Sequence, residues 1–305
     1  MSIATRLCLA AALCVGASAQ AEVAFGLTEG SRLIRFDTAN IAGRADVAAV
    51  TGVVAGQTLK AIDFRPSDAR LYAVSTDDAG TSGQLYTINL ATGAATAIGA
   101  GFALNGNAST RVSIDFNPVV NALRVITGGG QSYRVNANSG SLIAQDGNIV
   151  SPAGSTPLIS GIAYTNNVAG ATSTTLYGFD FLLDNLGTIS PPNAGTFNVV
   201  GSAGFDNGDA GAGFDISGAT GMAYFSANDL VGSVGAGDEF FSVNLATGLF
   251  TQIGADDVFS GAFDLLDFSI EVPTPGSLAL AVAALGLLAS PTRRRQPAAG
   301  ALATA

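Results

Sequence analysis

The sequence predicts an all-β fold, a five-bladed β-propeller built from four-stranded antiparallel blades. One stretch of alternating apolar and polar residues, Gly83 to Gly99 (GQLYTINLATGAATAIG), recurs along the chain. A second stretch, with aspartate between two apolar residues, recurs at similar intervals. The two ends of the repeat region carry complementary parts of one repeat. Repeats of about 50 residues are typical of solenoids, propellers and arrays.

The first recurring element is a β-hairpin. Bulky and polar residues alternate from Gln84 to Asn89, and a second strand follows from Ala94 to Ile98. Between them, Asn89 can bond the backbone two residues on, and Gly93 can adopt the positive φ that closes the turn. The equivalent turn positions of the five copies are 52, 47, 54 and 54 residues apart: Asp37, Asn89, Asn136, Ser190 and Asn244.

The second recurring element places an aspartate on the strand that precedes each hairpin. Its five positions are 52, 48, 52 and 52 residues apart: Asp63, Asp115, Ala163, Asp215 and Asp267. A further strand follows each of the first four, beginning at Leu71, Leu123, Leu176 and Ala223. The repeat is therefore four short strands. Longer stretches of small residues, such as Gly101 to Thr110, are interpreted as loops.

The ends of the domain predict a closed ring. The first repeat, from Val23, has only three strands, whereas the segment from Ala262 to Val272 is a lone first strand. Pairing of these N- and C-terminal strands would complete a fifth blade and leave no long exposed sheet edge. The alternative is an open β-solenoid. That fold would require neither an incomplete first repeat nor a lone first strand at the end of the domain.

Three regions are predicted: a signal peptide (1–21), the propeller domain (22–271) and a C-terminal sorting segment (272–305). The first has a basic start at Arg6, an apolar core, and a small-residue cleavage site at Ala19 and Ala21. Both cysteines, Cys8 and Cys14, lie within it. The mature chain would therefore have no disulfide, and packing and hydrogen bonds must stabilise it.

The C-terminal region is predicted to anchor the protein transiently in the inner membrane. From Val272 to Thr292 the chain has 21 uncharged residues, followed by Arg293, Arg294 and Arg295. As a helix this run would be about 31 Å long, against a bilayer core of roughly 30 Å. The arginine cluster would remain cytoplasmic and leave the propeller outside.

Charge and composition exclude several classes of function. Without both terminal regions, 9 basic and 23 acidic residues remain, and this net charge of −14 disfavours nucleic acid and anionic lipid as partners. The absence of histidine removes Ser-His-Asp and Cys-His catalysis and the usual zinc sites. No nucleotide-binding or nucleophile motif occurs in a strand-to-helix context. We therefore expect no enzymatic activity and no organic cofactor.

The aspartates on the first strands are the remaining candidates for chemistry, because these strands would line the central channel. Three interpretations stay open for Asp63, Asp115, Asp215 and Asp267. They could hydrogen-bond neighbouring backbone as structural residues of the repeat. They could bind a hard cation such as Ca²⁺. Two of them could serve as the carboxylate pair of a glycosidase, which needs carboxyls about 5 to 9.5 Å apart.

The tail, VPTPGSLALAVAALGLLASPTRRR, resembles the PEP-CTERM sorting signal of Gram-negative bacteria. The resemblance rests on Pro273 and Pro275, one apolar helix and the terminal arginine cluster. Thr274 stands where this signal typically has glutamate. The resemblance implies export through the Sec machinery, processing by a membrane exosortase-like enzyme, and delivery to the cell surface or the extracellular matrix.

The domain itself, over residues 23–271, resembles an uncharacterised bacterial family of secreted propeller-like proteins. The segments FGLT, IDFRP, GQLYTINLATG, IDFNP, YTNN and GFDIS carry this resemblance. It implies no activity, because that family is a domain of unknown function. The expected function is that of a surface or matrix protein whose partner could be an exopolysaccharide or envelope component. The alternative is a carbohydrate-active hydrolase or a calcium-binding propeller that uses the channel aspartates.

Overall fold

A computed structural model of the chain contains five four-stranded antiparallel sheets, arranged as the blades of a propeller. It describes residues 21–106, 111–206, 212–228 and 238–272. Within these ranges the one helical element is a three-residue 3-10 turn, Gly261–Phe263. None of the residues described forms a helix with the length and apolar character needed to cross a bilayer. The predicted all-β, five-bladed fold is confirmed.

The strands are numbered along the chain, and the blades follow the same order. Blade 1 begins with β1 (Val23–Thr28), β2 (Arg32–Asp37) and β3 (Asn40–Ala49). Blade 2 contains β4 (Gln57–Arg65), β5 (Arg70–Asp77), β6 (Ser82–Ile88) and β7 (Ala95–Ala103). Blade 3 contains β8 (Val112–Asn117), β9 (Ala122–Thr127), β10 (Ser132–Asn136) and β11 (Leu142–Gln145).

The remaining blades repeat this pattern. Blade 4 contains β12 (Ile159–Tyr164), β13 (Leu176–Asp180), β14 (Asn185–Ile189) and β15 (Phe197–Ser202). Blade 5 contains β16 (Ala212–Ile216), β17 (Ala223–Asn228), β18 (Asp238–Val243) and β19 (Phe250–Gln252). The last strand, β20 (Leu265–Ile270), returns to blade 1.

The ring closes through the two ends of the domain. In blade 1 the strand order is β20-β1-β2-β3, and β20 pairs antiparallel with β1. Ala24 lies opposite Ile270, and Leu27 lies opposite Asp267. The inner strands β4, β8, β12, β16 and β20 each lie beside the next, and β20 also lies beside β4. The predicted closure by terminal strands is confirmed.

The hairpins between the two outer strands form as their turn residues predict. The side-chain oxygen of Asn89 accepts hydrogen bonds from the N–H groups of Ala91 and Thr92, at 2.9 and 3.1 Å. Asn136 and Asn244 bond the same two positions of their own turns. Gly93 closes the first of these turns with a φ of +69°. This repeated turn ends the third strand of blades 2, 3 and 5 and directs the fourth.

The core is divided among the five junctions between neighbouring blades. Each junction holds one cluster of buried apolar side chains, supplied by the two sheets that face each other. At the junction of blades 5 and 1, for example, Phe36 packs edge-on against Phe240 and Phe259. Burial of such side chains supplies the main stabilisation of a fold without disulfides.

Candidate functional site

The inner strands bring all four repeat aspartates to the central channel. Asp63, Asp115 and Asp215 are 1–2% exposed, and Asp267 is 8% exposed. Each lies within its inner strand, on β4, β8, β16 and β20 respectively. Blade 4 contributes Ala163 at the equivalent position, and it is fully buried. Of the four, Asp63, Asp115 and Asp215 come close together, whereas Asp267 lies outside this group.

The channel carboxylates hydrogen-bond the backbone of the following blade. The donors are N–H groups of inner strands, so each aspartate connects its own blade to the next one around the ring. Asp267 accepts from Ile62 at 2.8 Å, Asp63 from Phe116 at 2.7 Å, Asp115 from Tyr164, and Asp215 from Ile270 at 2.6 Å. At the junction from blade 4 to blade 5, Ala163 has no carboxylate to make this bond.

Two serine hydroxyls add further hydrogen bonds in the channel. The Ser269 hydroxyl accepts from the Phe64 N–H at 3.1 Å and lies 2.9 Å from both Asp63 Oδ1 and Asp215 Oδ2. A hydroxyl has one proton, so it can donate to only one of these carboxylates at a time. Ser113 accepts from the Ile162 N–H at 2.9 Å.

Three of the aspartates form a compact group, which we call the carboxylate cluster: Asp63, Asp115 and Asp215. One oxygen from each lies within 4.8 Å of one from each of the others. Asp115 Oδ1 is buried and has no hydrogen-bond donor. The cluster thus concentrates negative charge around a buried oxygen that is not satisfied by the protein.

Burial is the main influence on the acidity of these groups. It raises the pKa of Asp63, Asp115 and Asp267 well above the usual value, and the neighbouring carboxylates raise the pKa of each further. Burial also raises the pKa of Asp215, to about 6, although N–H and hydroxyl donors oppose it. The leading influences on all four are burial, other carboxylates and hydrogen-bond donors, and none is a basic side chain.

A second concave feature lies between blades 3 and 4, with a volume of about 410 Å³. We call it the blade 3–4 cleft. Arg124 lies at its base, and its guanidinium donates to the Tyr164 hydroxyl, to Ser132, to Asp146 and to Asn193. Its side chain is only 2% exposed. The rim is more apolar and is formed by Val120, Ile143, Pro191 and Pro192.

The charge within the blade 3–4 cleft is locally positive. Asp146 accepts from Arg124 at 2.7 Å and from Arg134 at 2.8 and 2.9 Å. Burial acts to raise the pKa of Asp146, but the bonds from the two arginines outweigh burial and hold it below the usual value. Two cations therefore face one carboxylate. Arg134 is 28% exposed, so it can contact a molecule in the cleft.

A third polar network anchors the start of the domain. The Glu22 carboxylate accepts from Ser217, from Thr220 at 3.1 Å and from the Tyr224 hydroxyl at 3.0 Å. The Glu22 backbone N–H donates to the Thr38 hydroxyl at 3.2 Å. One buried side chain thus ties the residue before β1 to blade 5.

Comparison with known protein families assigns most of the chain to one family. Residues 32–261, about three quarters of the sequence, match the family described as a domain of unknown function, DUF4394. The chain belongs to the DUF4394 family. The predicted resemblance to an uncharacterised domain family is thereby confirmed. The matched DUF4394 region includes the whole carboxylate cluster and ends before Asp267 and β20. No curated protein matches the chain.

Several solved structures are similar to this DUF4394 protein. They include a nidogen/laminin complex, with 12% identity, a TM-score of 0.46, and coverage of 83% of this chain and 98% of that one. A protein of unknown function from Bacteroides thetaiotaomicron has 13% identity, a TM-score of 0.45 and coverage of 83% and 66%. A glutaminyl cyclase from Myxococcus xanthus has 10% identity, a TM-score of 0.40 and coverage of 66% and 83%.

The predicted processing residues fall mostly outside the part of the chain described. These are Ala19, Pro273, Pro275, Arg293, Arg294 and Arg295, together with the predicted membrane helix. Ala21 is described, is exposed and lies before β1. The three-region division of the chain therefore stays a prediction, alongside a propeller whose described strands run from Val23 to Ile270.

Sequence reasoning missed the arginine at the base of the blade 3–4 cleft, although the repeats carried a signal for it. On the second strand of blades 2, 4 and 5, the residue that pairs with the repeat aspartate or alanine of the inner strand is a tyrosine. These residues are Tyr72, Tyr177 and Tyr224. In blade 3 that position is Arg124. A charged residue at one copy of a buried repeat position indicates a local function. The serines of the channel had no such signal.

Proposed function

We propose that this DUF4394 protein is an exported, non-enzymatic β-propeller that binds an acidic polysaccharide of the cell surface or extracellular matrix. The observation that carries the proposal is the blade 3–4 cleft, which combines a cationic base with an apolar rim on an otherwise acidic protein. Its volume of about 410 Å³ lies within the usual range of binding sites for small ligands.

The chemistry of the cleft favours a sugar acid. Arginine recognises carboxylates through charge-assisted and often bidentate hydrogen bonds, and Arg134 is the arginine of the cleft that solvent reaches. The side chains of Val120 and Ile143, 62% and 49% exposed, offer apolar contact to the C–H face of a sugar ring. An exopolysaccharide with uronic acid residues would match both features.

The channel supports this proposal over the hydrolase alternative. A glycosidase needs two carboxyl groups that face its substrate. The channel aspartates are buried, and each accepts a hydrogen bond from backbone N–H groups. A sugar ring has no access to them in this arrangement. Their positions are those of structural residues that join neighbouring blades.

Export and processing form the second part of the proposal. The predicted signal peptide directs the chain to the Sec machinery, and the PEP-CTERM-like tail is removed by an exosortase-like enzyme at the inner membrane. Production in a Gram-negative host with and without its exosortase tests this, with the mass of the mature protein as readout. Removal of the tail in both hosts, or in neither, would contradict the assigned route.

Binding is tested by co-sedimentation of the purified exported protein with acidic exopolysaccharide. Val120→Asp and Ile143→Asp place negative charge on the rim, and we expect each to weaken binding by at least about tenfold, or about 1.4 kcal/mol. Val199→Asp is the matched control, because Val199 is 57% exposed on β15 and lies outside the cleft. Equal binding by all variants would reject the cleft.

A parallel assay addresses catalysis directly. The same incubations are analysed for released reducing ends, and we expect none. Release of sugar by the wild-type protein, lost in the Asp115→Asn variant, would replace the binding function by a hydrolase that uses the channel.

A further inference from the structure

We propose that the carboxylate cluster of the central channel binds one hard divalent cation of the Ca²⁺ type, which joins blades 2, 3 and 5. Asp63, Asp115 and Asp215 come from these three blades, and their oxygens lie within 4.8 Å of one another. In Ca²⁺ sites the metal–oxygen distance is about 2.3–2.6 Å, so two ligand oxygens on opposite sides of the ion are about 5 Å apart. The separation in the cluster fits this requirement.

The oxygen of Asp115 is the first independent sign of a missing partner. Asp115 is 1% exposed, one of its oxygens accepts the Tyr164 N–H, and its Oδ1 has no donor. A buried acceptor without a partner costs about 1–3 kcal/mol, and more when it is charged. A cation at the cluster would satisfy this oxygen without any movement of the backbone.

The hydroxyl of Ser269 is a second sign. It lies 2.9 Å from both Asp63 and Asp215 but has one proton to donate. The other carboxylate contact therefore needs a second positive partner, which is either a proton on the carboxyl group or a cation. A positive ion that contacts both carboxylates would remove this conflict, and the hydroxyl oxygen is itself a ligand type that Ca²⁺ accepts.

The ligand chemistry selects the class of ion. All groups that the cluster offers are oxygens of carboxylates or a hydroxyl, which suit Ca²⁺ or Mg²⁺ and not the soft metals. The full chain has no histidine, and both cysteines precede residue 15. With a divalent ion bound, the three carboxylates would be ionised and the cluster would have a net charge of −1.

The channel offers a matched control for a test of this site. Asp267 lies in the same channel, is buried, and bonds the next blade as the other aspartates do, but it lies outside the cluster. Asp115→Asn and Asp267→Asn both replace one buried carboxylate by an amide that still accepts the backbone hydrogen bond. The two variants therefore differ in whether they remove a proposed ligand.

Metal analysis of the exported protein, purified without chelators, is the first measurement. We expect about one Ca²⁺ or Mg²⁺ per chain in the wild type and in Asp267→Asn, and a loss of at least about tenfold in Asp115→Asn. Because the site is buried, the second measurement uses protein refolded with EDTA or with CaCl₂. At a Ca²⁺ concentration about 100 times Kd, we expect the melting temperature to rise by about 5–10 °C.

The pattern among variants separates a cation from a shared proton. With EDTA, Asp115→Asn should melt above the wild type, because one buried charge is gone, and CaCl₂ should not raise it further. A wild-type protein that contains no stoichiometric divalent metal and melts at the same temperature in EDTA and CaCl₂ would overturn the proposal. This wild-type measurement decides the question even if a variant fails to fold.

Discussion

The carboxylate of Asp267, on the last strand of the domain, accepts a hydrogen bond from the backbone N–H of Ile62, on the inner strand of blade 2, at 2.8 Å. The same strand, β20, pairs along its length with β1. One short C-terminal strand is therefore held by a sheet on one side and by a neighbouring blade on the other. The ring is therefore closed by a side-chain hydrogen bond between blades as well as by the backbone pairing within blade 1.

The first prediction concerns this contact. Asp267→Ala leaves the Ile62 N–H buried without an acceptor, which should lower the free energy of unfolding by about 1–3 kcal/mol. Asp267→Asn keeps an acceptor and removes a buried charge, so its stability should equal or exceed that of the wild type at pH 7. Urea titrations followed by circular dichroism compare the two, since the chain has no tryptophan. Equal destabilisation by both variants would show that the hydrogen bond is not the cause.

The second prediction tests how much the returning strand stabilises the ring. Phe268 on β20 is 1% exposed, and its ring centre lies 5.1 Å from that of Phe240 in blade 5. Phe268→Ala should cost about 3–5 kcal/mol, as for other buried aromatic residues. Leu183→Ala is the control, because Leu183 is 61% exposed between β13 and β14 and its loss should change stability by no more than about 0.5 kcal/mol.

The third prediction concerns a hairpin glycine at the contact between two blades. Gly140 has a φ of +67°, and a Cβ there would lie 2.0 Å from the Ile98 carbonyl oxygen of blade 2. Gly154 also has positive φ, +86°, but a Cβ there would meet nothing within 4 Å. Gly154→Ala should cost about 1–2 kcal/mol from backbone strain alone, and Gly140→Ala about 1–3 kcal/mol more. Thermal melts of the two variants measure the difference.

The strands and turns could be predicted because their signals are local. Alternation within β6, the amide of Asn89 and the positive φ of Gly93 all lie within one hairpin, and each copy repeats them. Strand ends were harder. Gly101 to Thr110 was interpreted as a loop, whereas β7 continues to Ala103. Small residues have weak strand preference, but Gly83 pairs with Phe102 and the ladder extends through them.

The partners of the channel residues could not be predicted, because they depend on how blades are offset from one another. The repeat spacing indicates that Asp63 and Asp115 both face the channel. It does not indicate that Asp63 bonds Phe116 of the next blade, or that Ser269 lies between two carboxylates. Those contacts depend on the offset between the inner strands of neighbouring blades. The alternation of apolar and polar residues within one strand does not indicate that offset.

The fourth prediction concerns the anchor at the start of the domain. Glu22 is 9% exposed and accepts hydrogen bonds from Thr220 and Tyr224 of blade 5. Glu22→Ala should lower the free energy of unfolding by about 1–3 kcal/mol, because the buried hydroxyl of Tyr224, which is 2% exposed, loses its acceptor. Glu29→Ala, at an exposed position just after β1, is the control. If both variants have the stability of the wild type, Glu22 does not anchor the first strand.

The last prediction concerns the pH dependence of stability at the junction of blades 5 and 1. Asp238, at the start of β18, is 3% exposed, and its carboxylate accepts from the Leu265 N–H. Burial, together with the negative charges of Asp264, Glu29 and Glu239, raises the pKa of Asp238 to about 8, although the hydrogen bond from the Leu265 N–H opposes this. The carboxyl group is therefore protonated in the folded protein at pH values where it is ionised in the unfolded chain.

The sign of the effect follows from this difference. Between pH 3.8 and about 8 the folded protein holds a proton that the unfolded chain releases, so stability should fall as pH rises, by up to about 1.4 kcal/mol per pH unit. Asp238→Asn should reduce the slope between pH 5 and 8 by the share of this one group, while the channel aspartates, whose pKa values are also raised, keep their own contributions. Asp77→Asn should leave it unchanged, because hydrogen bonds from Thr81 lower the pKa of Asp77 to about 2, and its contribution is lost only below about pH 4. Urea titrations of all three proteins at several pH values measure the slopes, and an identical slope in Asp238→Asn and the wild type would assign the pH dependence to other groups.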